Sequence, residues 1–128
     1  MAGLKLDAAG TAKLKTLEEA LTKLGRIHGD VEQWALAAKR NQPTSLYPMK
    51  LRRALPQLAT LLKGQFGMIS DQIMAINLAS SRGAAEAPKI RTLREGVAQV
   101  RQAVEIAVTR TKEQHASSEK DHDETAAD

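Results

Sequence analysis

Two stretches of this chain repeat mostly apolar residues every 3.5 positions, in alternating steps of three and four. The first stretch lies in the N-terminal third and comprises Leu14, Leu17, Leu21, Leu24, His28, Val31, Ala35 and Ala38. The second lies in the C-terminal third and comprises Ile90, Leu93, Val97, Val100, Val104, Ala107 and Thr111. Such a ladder occupies one side of an α-helix and is stable in water only when another helix covers it. The chain is therefore predicted to fold into long helices packed side by side.

A second apolar stripe flanks the first ladder. It consists of Ala20, Ile27 and Trp34, spaced seven residues apart. The combined apolar face is wider than a two-stranded coiled coil requires, which favours a bundle of three or four helices. Because two neighbouring helices would leave part of this face uncovered, Ile27 and Trp34 are predicted to contact a second copy of the chain.

Loop-forming residues divide the chain into three predicted helices. The first begins at Asp7 or Thr11, whose side chains can both cap a helix N-terminus, and it ends near Arg40. The third begins near Pro88, a residue type favoured in the first helical turn, and ends near Gln114. The predicted fold class is all-α, a bundle of three long, roughly antiparallel helices with heptad-like packing.

The middle helix is the least regular of the three. It is predicted between about residue 46 and Gly83, and Pro56 lies too deep in it to belong to the first turn. Either a short helix over residues 46–54 precedes the main one, or the helix kinks at Pro56. Its apolar pattern is interrupted near Gly64 and Gly67, and close approach of another helix would explain these two glycines.

Charge divides the chain into two parts. Residues 1–114 contain 18 Lys and Arg against 10 Asp and Glu, whereas residues 115–128 contain one Lys against five acidic residues. Residues 116–128 also lack any apolar side chain larger than Ala, and a segment of this composition cannot bury enough surface to order itself. We therefore predict a helical domain over residues 1–115 and a disordered acidic tail over residues 116–128.

Composition and motifs argue against several classes of function. The chain contains no Cys, which rules out disulfides, cysteine-ligated zinc and thiol catalysis. It has no phosphate-binding glycine loop, no serine-hydrolase elbow and no His-Glu-x-x-His motif, so we expect neither an enzyme nor a bound cofactor or metal. The longest apolar run is too short to span a bilayer and the N-terminus does not resemble a signal peptide, which makes the cytoplasm the expected location.

His28 occupies a ladder position that is predicted to face the core. A histidine there could serve as a pH switch or as a ligand. The favoured interpretation is structural, a half-buried histidine satisfied by a neighbouring carboxylate such as Asp30 or Glu32.

One group of cations suggests a binding function. In an antiparallel hairpin the end of the first helix meets the start of the second, and an antiparallel third helix would bring its last turns to the same place. The predicted cluster comprises Lys39, Arg40, Lys50, Arg52, Arg53, Arg110 and Lys112. Helix dipoles do not explain Lys50, Arg52 and Arg53, which lie near a helix N-terminus where cations are disfavoured. These residues are candidate contacts for phosphate groups.

A weaker cluster of the same kind is expected at the opposite end of the bundle. It comprises Arg82, Lys89, Arg91 and Arg94.

Two functions are compatible with these patterns. The first is a non-catalytic interaction or assembly subunit that associates with itself or with a helical protein partner. The alternative is an accessory nucleic-acid-binding protein that contacts the phosphate backbone through its basic end and does not read bases. The three aromatic residues of the chain are too few for a base-stacking platform.

Overall fold

A computed structural model describes the backbone of residues 6–83 and 85–127 and the side chains of residues 6–83 and 85–115. Within these ranges it contains four helices: α1 (Ala8–Lys39), α2 (Leu46–Lys63), α3 (Gly67–Ser81) and α4 (Glu86–Ala127). The predicted all-α class is confirmed. The prediction of three helices is wrong, because the expected middle helix is two helices joined by a tight reversal.

The reversal between α2 and α3 falls at residues 64–66 and not at Pro56. α2 passes through Pro56 without ending, so the predicted separate short helix over residues 46–54 is wrong, and a kink at Pro56 stays a prediction. Proline removes the hydrogen bond to the carbonyl of Arg52, one turn earlier. Because Arg52 is exposed, water can satisfy that carbonyl and the helix tolerates the proline. The backbone leaves helical geometry at Phe66 (φ −135°, ψ 59°), where the apolar pattern is interrupted.

The four helices form a ring in which α1 and α3 each pack against α2 and α4. Neighbouring helices run antiparallel, in an up-down-up-down arrangement. The buried hydroxyl of Ser70 on α3 donates to the carbonyl of Ala59 on α2 at 2.7 Å. Across the described residues no Cα atom of α1 lies within 8 Å of one of α3, so the two helices lie diagonally opposite in the bundle.

Close helix approach occurs, but not at the glycines for which it was predicted. A Cβ added at Gly64 or Gly67 would meet nothing within 4 Å, so these two positions mark the reversal and not a helix contact. A Cβ added at Gly96 would lie 2.7 Å from Cδ1 of Ile76. Gly96 therefore allows α4 to approach α3 closely.

The core consists of Leu, Ile, Val and Ala side chains and the single Trp. The predicted α4 ladder is buried at Ile90, Leu93, Val97, Val100, Val104 and Thr111. On α1 the buried stripe instead comprises Leu17, Ala20, Leu24, Ile27, Val31, Trp34 and Ala37. It combines three of the eight predicted ladder residues with the predicted second stripe and Ala37, because α2 and α4 cover α1 from two sides.

The burial pattern of α1 corrects two predictions, one about Ile27 and Trp34 and one about His28. Ile27 and Trp34 are each 2% exposed, so they lie in the core of one chain and cannot form a contact with a second copy. α1 packs between two helices of a closed four-helix ring, which covers the face that a three-helix bundle would leave open. His28 was predicted to face the core, whereas its side chain is exposed at the edge of the stripe.

The N-terminus of α1 is fixed to α4 by His115. Nδ1 of His115 lies 2.9 Å from Oδ1 of Asp7, and Nε2 lies 3.2 Å from Nζ of Lys13. Because an ammonium group can only donate, Nε2 accepts and the Nδ1–H group donates to Asp7. Asp7 also accepts the backbone N–H of Gly10 at 2.7 Å, which confirms it as the N-cap of α1. The hydrogen bond from Gly10 and then that from His115 hold the pKa of Asp7 below its ordinary value.

The backbone of residues 116–127 continues α4, where the sequence predicts a disordered tail. The side chains of residues 116–128 lie outside the described residues, so the tail stays a prediction. Among the described residues, none of the helices is both long enough and apolar enough to cross a membrane.

Candidate binding surfaces

Cations gather at the end of the bundle where α1 meets α2. α1 ends with Lys39 and Arg40, and the first turns of α2 contain Lys50, Arg52 and Arg53. All five side chains are exposed. The structure therefore places five of the seven predicted phosphate contacts at one end of the molecule.

The other two predicted contacts, Arg110 and Lys112, lie at the far end of the helix ring. Arg110 lines a groove together with Lys13 near the N-terminus of α1. The reason is the extra reversal, which makes α4 begin beside the C-terminus of α1 and end beside its N-terminus. The prediction that all seven cations share one end is wrong for these two.

The same reversal brings part of the predicted weaker cluster to the cation-rich end. Arg82 follows α3, and Lys89 and Arg91 belong to the first turns of α4. We call this group of eight cations the basic end; it comprises Lys39, Arg40, Lys50, Arg52, Arg53, Arg82, Lys89 and Arg91. Within the described side chains, none of the eight takes part in a salt bridge.

Acidic residues do little to neutralise the basic end. The chain has no Asp or Glu between Glu32 and Asp71. Glu32 already binds Arg94, accepting from its Nε and Nη2 atoms at 2.7 and 2.8 Å. The hydrogen bond from Arg94 is the main cause that lowers the pKa of Glu32, and the same pair raises the pKa of Arg94.

Glu86 accepts hydrogen bonds from neutral donors at the basic end. Its Oε2 atom accepts the hydroxyl of Thr44 at 2.6 Å and the indole N–H of Trp34 at 2.7 Å. These two hydrogen bonds, that of Thr44 first, keep the pKa of Glu86 below its ordinary value. The carboxylate thus joins α1, the α1–α2 loop and the first turn of α4. The sequence analysis missed this role, because nothing in the pattern pairs Glu86 with Trp34.

A small crevice opens among α2, α3 and α4 at the basic end. Its volume is about 20 Å³, which is room for one water-sized group. Trp34 and Leu93 contribute apolar lining, and the polar lining comprises Arg52, Asn77, Ser80, Ser81 and Lys89. Two cations and several hydrogen-bond donors around an open crevice fit one oxygen of an anion such as phosphate.

The solvent-facing side of α3 is apolar. Asp71 is the single charged residue of this helix. Met68, Met74 and Leu78 are 87%, 44% and 53% exposed, and Ala75 and Ala79 lie exposed among them. A helix that is apolar on its outer as well as its inner side is typical of a helix buried between other elements. We call this side the α3 face; it comprises Met68, Asp71, Met74, Ala75, Leu78 and Ala79.

A wider groove lies beside the α2–α3 reversal, where the start of α3 meets α4. Its volume is about 600 Å³, and Phe66, Met68 and Ile106 line it together with Arg110 and other residues. Arg110 therefore lies in a groove of mixed apolar and polar lining that also includes Lys13, and not at the basic end.

The chain has no match among known protein families, curated proteins or solved structures. Its function is therefore inferred from its own surfaces.

Proposed function

We propose that this chain is a non-catalytic assembly subunit that binds a second copy of itself through the α3 face. The observation that supports the proposal is the exposure of Met68, Met74 and Leu78 on one helix. Apolar side chains grouped on one exposed helix face mark protein contacts more often than isolated exposed residues do. Within the described part of α1, by contrast, Leu36 is the single large apolar side chain that is exposed.

The titratable side chains with shifted pKa values support a structural role. Asp7 caps α1 and accepts from His115, Glu32 binds Arg94, and Glu86 joins three segments. Each of these carboxylates is engaged in holding helices together.

Sedimentation velocity over a series of protein concentrations tests self-association. The sedimentation coefficient should rise with concentration for the wild type. Leu78→Lys should remove this rise, because it places a charge in the apolar contact. Leu36→Lys is the matched control, since Leu36 is 46% exposed on α1, and it should associate like the wild type. A wild type that remains monomeric at every concentration would contradict the proposal.

We also propose a second candidate function, the binding of nucleic acid through its phosphate backbone. The eight cations of the basic end favour it, because none of them forms a salt bridge with a described side chain and phosphate contacts depend on Lys and Arg that are not already neutralised. The crevice between Arg52 and Lys89 offers one site where a phosphate oxygen could be held by two cations.

Fluorescence anisotropy with a labelled duplex at two salt concentrations tests this second function. The affinity of the wild type should fall steeply as salt rises. The variant K50E/R52E/R53E should lose binding, whereas the control K15E/K23E/R26E changes net charge equally on α1 and should retain most of it. Equal losses in the two variants would mean that overall charge and not the basic end drives binding. Absence of binding at low salt would rule out the function.

Trp34 provides a second readout for the same proposal. It is the only Trp of the chain and lines the crevice, so its fluorescence should change when inorganic phosphate or a nucleic acid enters. Arg52→Gln should abolish the change, and Arg53→Gln, one residue away and outside the crevice lining, should preserve it. A change that survives Arg52→Gln would place the bound phosphate elsewhere.

A further inference from the structure

We infer that two copies of the chain pair through antiparallel α3 helices, about a two-fold axis that passes between residues 76 and 77. This inference rests on the proposed self-association and specifies how it occurs. The partner is a second copy, and the surface is the α3 face together with Arg82, which follows the helix.

The spacing of exposed residues on α3 is the first observation. Asp71, Ala75, Leu78 and Arg82 are all exposed and follow one another in steps of four, three and four. They therefore lie in one line along the helix. Because this order of steps is the same in both directions, an antiparallel copy matches each of the four residues with one of its own.

The residues that this pairing brings together are complementary. Asp71 faces the partner's Arg82, and Ala75 faces the partner's Leu78. Met74 and Ala79 are both exposed and lie on opposite flanks of this line, so Met74 lies on the same flank as the partner's Met74, and Ala79 on the same flank as the partner's Ala79. Opposite charges therefore meet at both ends, and Leu78 meets the small Ala75, which allows the helices to approach closely.

Other arrangements of two α3 helices lack this complementarity. A parallel pair would place Asp71 beside the partner's Asp71 and Leu78 beside the partner's Leu78, and like charges in contact are unfavourable. An antiparallel pair shifted by one heptad would place Asp71 beside the partner's Ala75 and leave Arg82 without an acidic neighbour. Only the axis between residues 76 and 77 pairs both charges.

Asp71 and Arg82 are available for such a contact. They are eleven positions apart, about 16 Å along a helix, which is too far for a bond within one chain. Neither takes part in a salt bridge with the described side chains. α2 and α4 cover two sides of α3. Asp71 and Arg82 lie on the side that these two helices leave uncovered.

The size of the contact sets the expected strength. α3 is 15 residues long, or about 22 Å, so one helix pair buries less surface than a standard stable interface. We therefore expect a dimer with a dissociation constant on the order of micromolar or weaker. Such a dimer is suited to charge-reversal experiments, because small changes of affinity alter the populations that are measured.

Charge reversal tests the pairing by sedimentation velocity on the full chain. Asp71→Arg should weaken the dimer about tenfold or more, because each dimer has two such pairs and both become repulsive. Arg82→Asp should do the same. The double variant D71R/R82D should restore the dimer, because every reversed charge again faces its opposite. The control E18R/R26D carries the same kinds of reversal on α1, on the opposite side of the bundle, and should dimerise like the wild type.

The possible outcomes separate this inference from the proposed function. Weak single variants and a restored double variant support the antiparallel pairing. A dimer that persists unchanged in Asp71→Arg and Arg82→Asp overturns the pairing and leaves self-association in place. A dimer lost in the double variant as well, with its helical content intact by circular dichroism, also overturns the pairing. A wild type that is monomeric at all concentrations overturns both.

Discussion

Replacing Gly96 by Ala tests the close contact between α3 and α4. A Cβ at this position would lie 2.7 Å from Cδ1, 2.7 Å from Cγ1 and 2.9 Å from Cγ2 of Ile76. Three atoms of one branched side chain are involved, so rotation of a single terminal group cannot relieve the overlap. Either the helices must separate or Ile76 must adopt an unfavourable rotamer.

The expected magnitude follows from two opposing effects. Ala is favoured over Gly within a helix by about 1 kcal/mol, and overpacking a well-packed contact costs about 1–3 kcal/mol. Gly25 in α1 supplies the comparison, because a Cβ there would meet nothing within 4 Å. Gly25→Ala should therefore stabilise the fold by about 1 kcal/mol. Gly96→Ala should leave the chain less stable than Gly25→Ala does by about 1–3 kcal/mol, since the helix-propensity gain is common to both.

Urea denaturation followed by circular dichroism measures these differences. Ile76→Ala removes the three overlapping atoms, so Gly96→Ala introduced into that background should stabilise the chain about as much as Gly25→Ala does. This double-mutant cycle isolates the contact between the two residues. A stabilising effect of Gly96→Ala in the wild-type background would refute the close packing of α3 on α4.

Three further predictions follow from single contacts. Ser70→Ala should lower the free energy of unfolding by about 1 kcal/mol, or Tm by a few degrees, because it removes the buried hydrogen bond to the carbonyl of Ala59; an unchanged Tm would count against that bond. The folded pKa of Glu86 lies below its unfolded value, so its stabilising contribution is present above the unfolded pKa and is lost as the pH falls through the folded pKa. Trp34 emission should show this acid transition, and Glu86→Gln should remove it. Deleting residues 116–128 should leave Tm nearly unchanged and should tighten any nucleic-acid binding, because the segment is acidic and has no large apolar side chain; a Tm lower by more than a few degrees would show that it packs on the helices.

The helical class could be predicted from the sequence because it depends on periodicity. The ladder from Ile90 to Val104 is buried as predicted, and Asp7 caps α1 as predicted. The number of helices was predicted less well than the helical class. Proline and glycine both disfavour helix, and the sequence does not show which of them ends a helix because their effects depend on context. α2 continues through Pro56, where Arg52, the residue whose carbonyl loses its helical donor, is exposed, whereas the chain reverses at residues 64–66.

The composition of the basic end depends on that one reversal. A fourth helix in the bundle inverts the direction of α4. The C-terminal residues Arg110 and Lys112 are therefore placed away from the basic end, and Lys89 and Arg91 at the start of α4 are placed at it. The hydrogen-bond partners of Glu86 could not be predicted from the sequence either, because Trp34 is 52 positions away. The α3 face, in contrast, can be recognised in the sequence, because residues 72–81 contain no charged side chain and a helix without charges on any side is not expected to face water.

The antiparallel α3 pairing also predicts a link between the two proposed functions. Arg82 lies about 8 Å along the helix from the inferred two-fold axis. The two basic ends therefore lie on opposite sides of that axis, with the two Arg82 residues about 16 Å apart along the helix direction. A long duplex could then contact both basic ends, and the second contact would benefit from a high effective concentration. Leu78→Lys should therefore weaken binding to a long duplex and leave binding to a duplex that covers one basic end nearly unchanged. Leu36→Lys should affect neither. Equal affinities of wild type and Leu78→Lys for the long duplex, measured where the wild type is dimeric, would show that the two surfaces act independently.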